Sequence, residues 1–108
     1  MKTDDELNHL VATRLMHWKL KEGVYINSQL ETKYTVSEYQ PLSNPSQFAE
    51  LAAKMQARDY QWEVQEPKVV GEMYKVTFTK YGESFIGTEK TMCRAGTIAA
   101  LKAYNQIS

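Results

Sequence analysis

The stretch Gly82–Tyr104, G-E-S-F-I-G-T-E-K-T-M-C-R-A-G-T-I-A-A-L-K-A-Y, decides how this chain folds. Tyr81-Gly82-Glu83 reads as a hairpin-like turn, and Ser84-Phe85-Ile86 as a short strand leaving it. Thr91 stands where a hydroxyl caps a helix, and the helix it opens is built of very small residues. On a helical wheel Met92, Ala95, Gly96, Ala99 and Ala103 share one face, flanked by Ala100, so the backbone can lie close to a sheet. Ile98 and Leu101 point to a different side. A helix that is apolar on two sides is covered twice, here by the first helix or by a twin subunit in a homodimer.

Working outward, Tyr74, Val76 and Phe78 alternate with Lys75, Thr77 and Thr79, and Tyr60, Trp62 and Val64 alternate with Gln61, Glu63 and Gln65. Each run predicts a strand with one apolar face, the earlier one ending at Pro67. Before them, Asn44 at N-cap, Pro45 at N1 and Gln47 at the capping-box position open a helix. Phe48, Leu51, Ala52 and Met55 carry it at helical spacing to about Arg58.

At the front of the chain, Thr3-Asp4-Asp5-Glu6 is a capping box with its acids at the positive end of the helix dipole. The spacing of Leu7, Leu10, Val11, Leu15 and Trp18 predicts a buried stripe on a helix running to about Leu20. Arg14 falls on that stripe with its stem packed and its head reaching out; Met16 lies opposite; Gly23 stops the helix. Val24–Tyr39 predicts one short strand or an irregular hairpin, and the proline-containing run 40–46 a loop.

The element order α-β-α-β-β-β-α predicts an α+β fold: an antiparallel three- or four-stranded sheet with three helices, in a single domain spanning 1–108. Helices on both sheet faces make an α/β/α sandwich. If the polar faces Gln61/Glu63/Gln65 and Lys75/Thr77/Thr79 stay wet, the arrangement is two layers.

A chain of 108 residues with 43% hydrophobic side chains can bury one core without staples. The 13 basic side chains are balanced by 13 acidic ones, which weighs against a strong phosphate-backbone binder. The one cysteine, Cys93, permits no intramolecular disulfide and fits a reducing cytosol. No apolar run is long enough to span a bilayer, and Met-Lys-Thr-Asp-Asp-Glu is no secretory signal, so a cytoplasmic protein is expected.

Two resemblances follow once these elements are placed. Asp5-Glu6-Leu7, Leu10-Val11-Ala12 and Met16-His17-Trp18-Lys19 mark the first helix. Asn44-Pro45-Ser46 then opens a helix carrying Ala49, Ala52 and Met55, and Ala95-Gly96-Thr97-Ile98-Ala99-Ala100-Leu101 closes the chain. In that order, nearly the whole chain resembles the small bacteriophage proteins of the phage ABA sandwich domain family. That family often carries tryptophan where Tyr74 stands, and Val24–Tyr39 has no clear match in it. The resemblance implies a phage or prophage origin and a three-layer fold, and no activity. The second covers Asn44–Tyr104. Its helix–three strands–helix order, with Phe85-Ile86-Gly87-Thr88, Ala95 and Ala99-Ala100, is similar to a double-stranded-RNA-binding domain. That family's last helix opens with phosphate-gripping lysines. Here the positions are Met92, Cys93, Arg94 and Gly96, and only Arg94 is basic. The packing residues are shared and the RNA-binding ones are missing.

No stretch carries a catalytic, cofactor or metal signature. Cys93 near a helix start is in reach of thiolate stabilisation, but no histidine neighbours it in sequence. His9 and His17 are too far apart on one helix to share a metal ion, and no further ligand completes a set. Asp4, Asp5 and Glu6 complement a helix dipole. Gly82-x-x-x-x-Gly87 lacks the lysine of a phosphate loop. Lys75, Lys80, Lys90, Arg94 and Lys102 make either a basic face or an ordinary solvated surface. Three of the seven tyrosines, Tyr25, Tyr34 and Tyr39, crowd into the region of least regular pattern. Tyrosine is enriched at protein interfaces. A non-enzymatic protein is therefore expected, binding a host or phage protein through Tyr25, Tyr34, Tyr39, Arg94, Ile98 and Leu101. Inhibition of a host defence complex such as a CRISPR effector is one form of this. A nucleic-acid-binding module is the alternative.

Overall fold

A computed structural model describes residues 2–107. The fold is α+β and follows the order α-β-α-β-β-β-α, with the first β position expanded into a small sheet of its own. Helix α1 (Asp4–Leu10) opens on the expected capping box: Thr3 Oγ1 accepts from the Glu6 N–H at 3.2 Å, and Glu6 Oε1 accepts from the Thr3 N–H at 3.2 Å. It continues as a π-helical stretch, Val11–Leu15, closed by a hydrogen bond from the Met16 N–H to the Val11 carbonyl at 2.9 Å.

This wider turn corrects the predicted helix. Each π turn holds more residues than an α turn, so side chains beyond it fall behind the α-helical wheel. Met16, expected to face away, is buried, and Arg14, expected on the buried stripe, is exposed. His17, with φ of 61°, ends the helix short of Leu20, and Trp18 enters the core from the segment that follows.

Lys19–Lys21 (β1), Val24–Ile26 (β2) and Thr32–Thr35 (β3) form an antiparallel three-stranded sheet in the order β1-β2-β3. Glu22 and Gly23 both take positive φ, 52° and 77°, between the paired residues Lys21 and Val24. That is the turn chemistry of a two-residue hairpin with right-handed twist. Strands of three or four residues are too short to show a period, so one strand or an irregular hairpin was all the pattern supported.

Helix α2 (Pro45–Ala57) is capped by Asn44, whose Oδ1 accepts from the Gln47 N–H at 3.1 Å. The Gln47 side chain does not reach back to the cap. It is buried, accepts from the Gln40 N–H, and donates to the Glu38 carbonyl at 2.8 Å, pinning the preceding loop. Asn44→Ala is expected to lower stability by about 1 kcal/mol, since one helix N–H loses its acceptor; urea denaturation with an unchanged slope checks this.

The second sheet is β4 (Gln61–Gln65), β5 (Tyr74–Lys80) and β6 (Glu83–Glu89), antiparallel in sequence order. Its register places Trp62 beside Phe78 and Phe78 beside Phe85, with Val76 beside Gly87. These residues make the apolar face. Gln61, Glu63, Gln65, Lys75, Ser84 and Thr88 lie exposed on the other, so this face stays wet. Strand β6 extends beyond the predicted Ser84-Phe85-Ile86 at both ends.

Helix α3 (Met92–Ala103) crosses the apolar face, capped by Thr91 Oγ1, which accepts from the Arg94 N–H at 3.2 Å. Ala95 and Ala99 sit directly over Gly87; a Cβ at Gly87 would overlap the Ala95 carbonyl and come within 2.9 Å of the Ala99 nitrogen. On another side Gly96 admits the ring of Phe48 from α2. On a third, Thr97, fully buried, donates to the Pro41 carbonyl at 3.3 Å. The two apolar sides of α3 are thus covered by the chain's own sheet, helix and loop. The buried side chains form one contiguous cluster around it. Among the described residues no helix is long and apolar enough to cross a membrane.

Candidate protein-binding groove

The six residues expected to make a contact surface do not lie together on one. Tyr25 and Tyr39 are each 1% exposed. They pack with Trp18, whose ring centroid lies 6.3 Å from Tyr25, 5.9 Å from Tyr34 and 5.0 Å, edge-on, from Tyr39. The tyrosines crowd here because the small sheet has too few aliphatic side chains to make a core; aromatic rings supply one from few residues. Leu101 is fully buried, and Ile98 is half-buried against the core. Arg94 is half-exposed but engaged. Its guanidinium meets Asp4 at 2.8 Å and Glu89 at 3.6 Å, joining the starts of α1 and α3 to the end of β6. The hydrogen bond to Asp4 holds it charged above its ordinary range.

The three tyrosine hydroxyls differ. Tyr25 Oη pairs with His9 Nδ1 at 2.8 Å. Tyr34 Oη donates to Glu50 Oε1 at 2.8 Å, which, together with partial burial, raises its phenol above the usual range. Tyr39 Oη is buried without a partner, and burial followed by the nearby Glu50 charge pushes it far up. Tyr39→Phe is therefore expected to raise stability by about 1 kcal/mol, because an unsatisfied hydroxyl is removed. Tyr25→Phe removes a made hydrogen bond and is expected to lower stability by about the same amount. Paired denaturation curves of opposite sign check both.

Cys93 is buried, and burial pushes its thiol above the ordinary value, which opposes thiolate formation at the helix start. Of the two readings of Lys75, Lys80, Lys90, Arg94 and Lys102, the contacts of three favour dispersed surface roles over a basic face. Lys80 Nζ lies 5.1 Å from the Tyr60 ring and 5.3 Å from that of Tyr81. Lys102 Nζ donates to the Ile86 carbonyl at 2.9 Å, covering part of the β6 edge, and Arg94 is held by acids. The cations at the start and last turn of α3 thus serve the fold, whereas a duplex-binding helix presents them to phosphate. Among the described residues no three of His, Cys, Asp and Glu are grouped so as to hold a metal ion.

The surface that does open to solvent is a groove of about 620 Å³ between the small sheet and α2. One end is formed by Met16, His17 and Trp18, where the first helix unwinds. One wall is Lys33 of β3 with the β2–β3 turn, Asn27–Gln29. That turn is rigid: Asn27 Oδ1 accepts from the Gln29 N–H at 3.0 Å and the Glu31 N–H at 2.9 Å. The opposite wall is the Glu50, Ala53, Lys54, Ala57 face of α2. A solvated helix face normally carries long polar side chains. Ala53 and Ala57 at these positions leave the space, and they were the one sequence signal for it. The rest of the groove depends on the small sheet, which the pattern did not resolve. A second exposed feature is the β4–β5 connection, where Val69, Val70 and Met73 are 61%, 105% and 46% exposed.

No protein-family model matches the chain, and no curated protein matches it in sequence. Its fold does match a solved structure, that of a phage protein from Bacillus cereus ATCC 14579, at a TM-score of 0.77 and 17% identity over 100% of this chain and 92% of that one. At that identity the likeness is one of fold.

Proposed function

We propose that this chain is a phage or prophage accessory protein that works by binding another protein; the resemblance to the small bacteriophage proteins of the phage ABA sandwich domain family bears on its origin and not on that activity. A full-length likeness in fold to a phage protein and the packing motifs of all three helices support the origin. The observation that carries protein binding is the groove. It is open to solvent and lined by a rigid turn and by a helix face on which Ala53 and Ala57 leave space, so it admits an extended segment. The aliphatic tip Val69-Val70-Met73 adds a second contact, since clustered exposed apolar side chains mark interaction sites. The tyrosines act behind the groove as its support.

The test is capture with the intact, tagged protein from host lysate, followed by native mass measurement. One stoichiometric protein partner is the expected result. Recovery of the protein alone with a co-purified small ligand would sink the reading. Inhibition of a host defence complex such as a CRISPR effector is the most concrete version of this function. Expressing the chain in a defended host should then raise phage plating, with no effect in a host lacking the system. Equal plating in both would remove that version.

A further inference from the structure

We infer that the groove between the small sheet and α2 takes an acidic segment of the partner protein, an inference that rests on the protein-binding function above. Glu50 and Lys54 stand four residues apart on α2, the spacing and order at which glutamate and lysine normally pair. They do not pair here. Glu50 is committed to the Tyr34 hydroxyl at 2.8 Å, and Lys54 has no ion pair among the described residues. Lys33, on the facing wall, has none either. Two exposed lysines therefore line one cleft whose carboxylate, Glu50, is turned to another task. This is the charge complement of an acidic peptide side chain.

A segment of protein fits better than a nucleic acid. Two lysines are few for phosphate-backbone binding, whose affinity grows with the number of charges neutralised. The volume, about 620 Å³, lies in the range that accepts a few residues of extended chain.

The experiment is a nitrogen-15 chemical-shift titration of the full chain with a capped hexapeptide of alternating glutamate and serine. Its lysine counterpart and a single-stranded oligothymidylate serve as controls. Shifts confined to Trp18, the turn 27–29, Lys33 and Lys54 are expected with the acidic peptide alone. The K33E/K54E variant should weaken that binding by about tenfold or more, and K33M/K54M should weaken it without introducing repulsion. Both pairs are surface changes, and their unperturbed spectra report folding directly. Absence of shifts, shifts mapping elsewhere, or equal response to the basic peptide would overturn the inference. So would a groove response to the oligonucleotide. If wild type and K33E/K54E capture the same partner from lysate equally, the groove is not the contact while protein binding stands. If wild type captures none, the function itself falls.

Discussion

Replacing Gly87 by alanine is expected to lower stability by about 3 kcal/mol, a fall of roughly 15 °C in thermal midpoint for a domain of this size. The added methyl has no room, because the obstacles are the Ala95 carbonyl and the Ala99 nitrogen, both backbone. Relief requires the whole of α3 to lift from the sheet. That would loosen the contacts of Ala95, Ala99 and Leu101, all fully buried. Gly96→Ala provides the contrast. Its obstacle is the ring of Phe48, a side chain, though one buried edge-on against Trp62 with centroids 5.7 Å apart. Alanine also gains up to about 1 kcal/mol of helix propensity over glycine at a helical position. The ordering G87A worse than G96A, read from calorimetry, tests whether α3 seats on backbone or on side chains.

Trp18→Ala is expected to lower stability by about 4 kcal/mol, within the range for emptying a buried aromatic site. Trp18 is 7% exposed and packs against Tyr25 and Tyr34 of the small sheet and Tyr39 of the loop that follows it. Removing it leaves Tyr39 with no ring on one side and frees Tyr34, whose hydroxyl positions Glu50. Urea denaturation measures the loss, and near-ultraviolet circular dichroism should lose the signal of packed tyrosines. Trp18→Phe, which keeps a ring, should retain most of both. A loss for Trp18→Ala no larger than that of a change at the exposed Leu30 would mean that the small sheet does not depend on this ring.

These two sites differ in how far they could be read beforehand. Gly87 belongs to a stretch whose small residues announce close helix-on-sheet packing, and the alternation of Val76 and Phe78 names the face on which it happens. Trp18 was legible as buried, but for a different reason. The spacing predicts a helical stripe, whereas the π-helical stretch ends the helix first and Trp18 enters the core from the residues between that stretch and β1. The same turn exchanged Met16 and Arg14 between core and surface. No local residue type marks that turn; the wider hydrogen bond from Met16 to Val11 is held in place by packing around it.

The candidate site was less legible than the fold. Tyr25 and Tyr39 carry the composition of an interface and the burial of a core, and side-chain identity cannot separate the two. Their environment is set by partners distant in the chain: His9 for Tyr25, and Trp18 for Tyr39. Lys33 and Lys54 drew no notice as sequence, because each is an ordinary exposed lysine. With Glu50 bonded to Tyr34, Lys54 has no ion pair among the described residues, and this makes the two lysines a candidate site.

Return to Gly82–Tyr104 shows where the division falls. The amino-acid sequence by itself determined the hairpin turn at Tyr81-Gly82, the Thr91 cap, the caps at Thr3 and Asn44, and the apolar face of each strand in the large sheet. Each of these follows from a side chain acting on its own or adjacent backbone, or from strict alternation. Tertiary structure alone decided the three-stranded order of β1–β3, the burial of the tyrosines and the groove, whereas the polar alternation Gln61/Glu63/Gln65 and Lys75/Thr77/Thr79 already favoured a wet second face on the large sheet. Long-range contacts of this kind join Asn8 to Leu42, Tyr34 to Glu50 and Thr97 to Pro41. Such pairs have no meaning until the chain has closed the loops between them, so no local pattern encodes them.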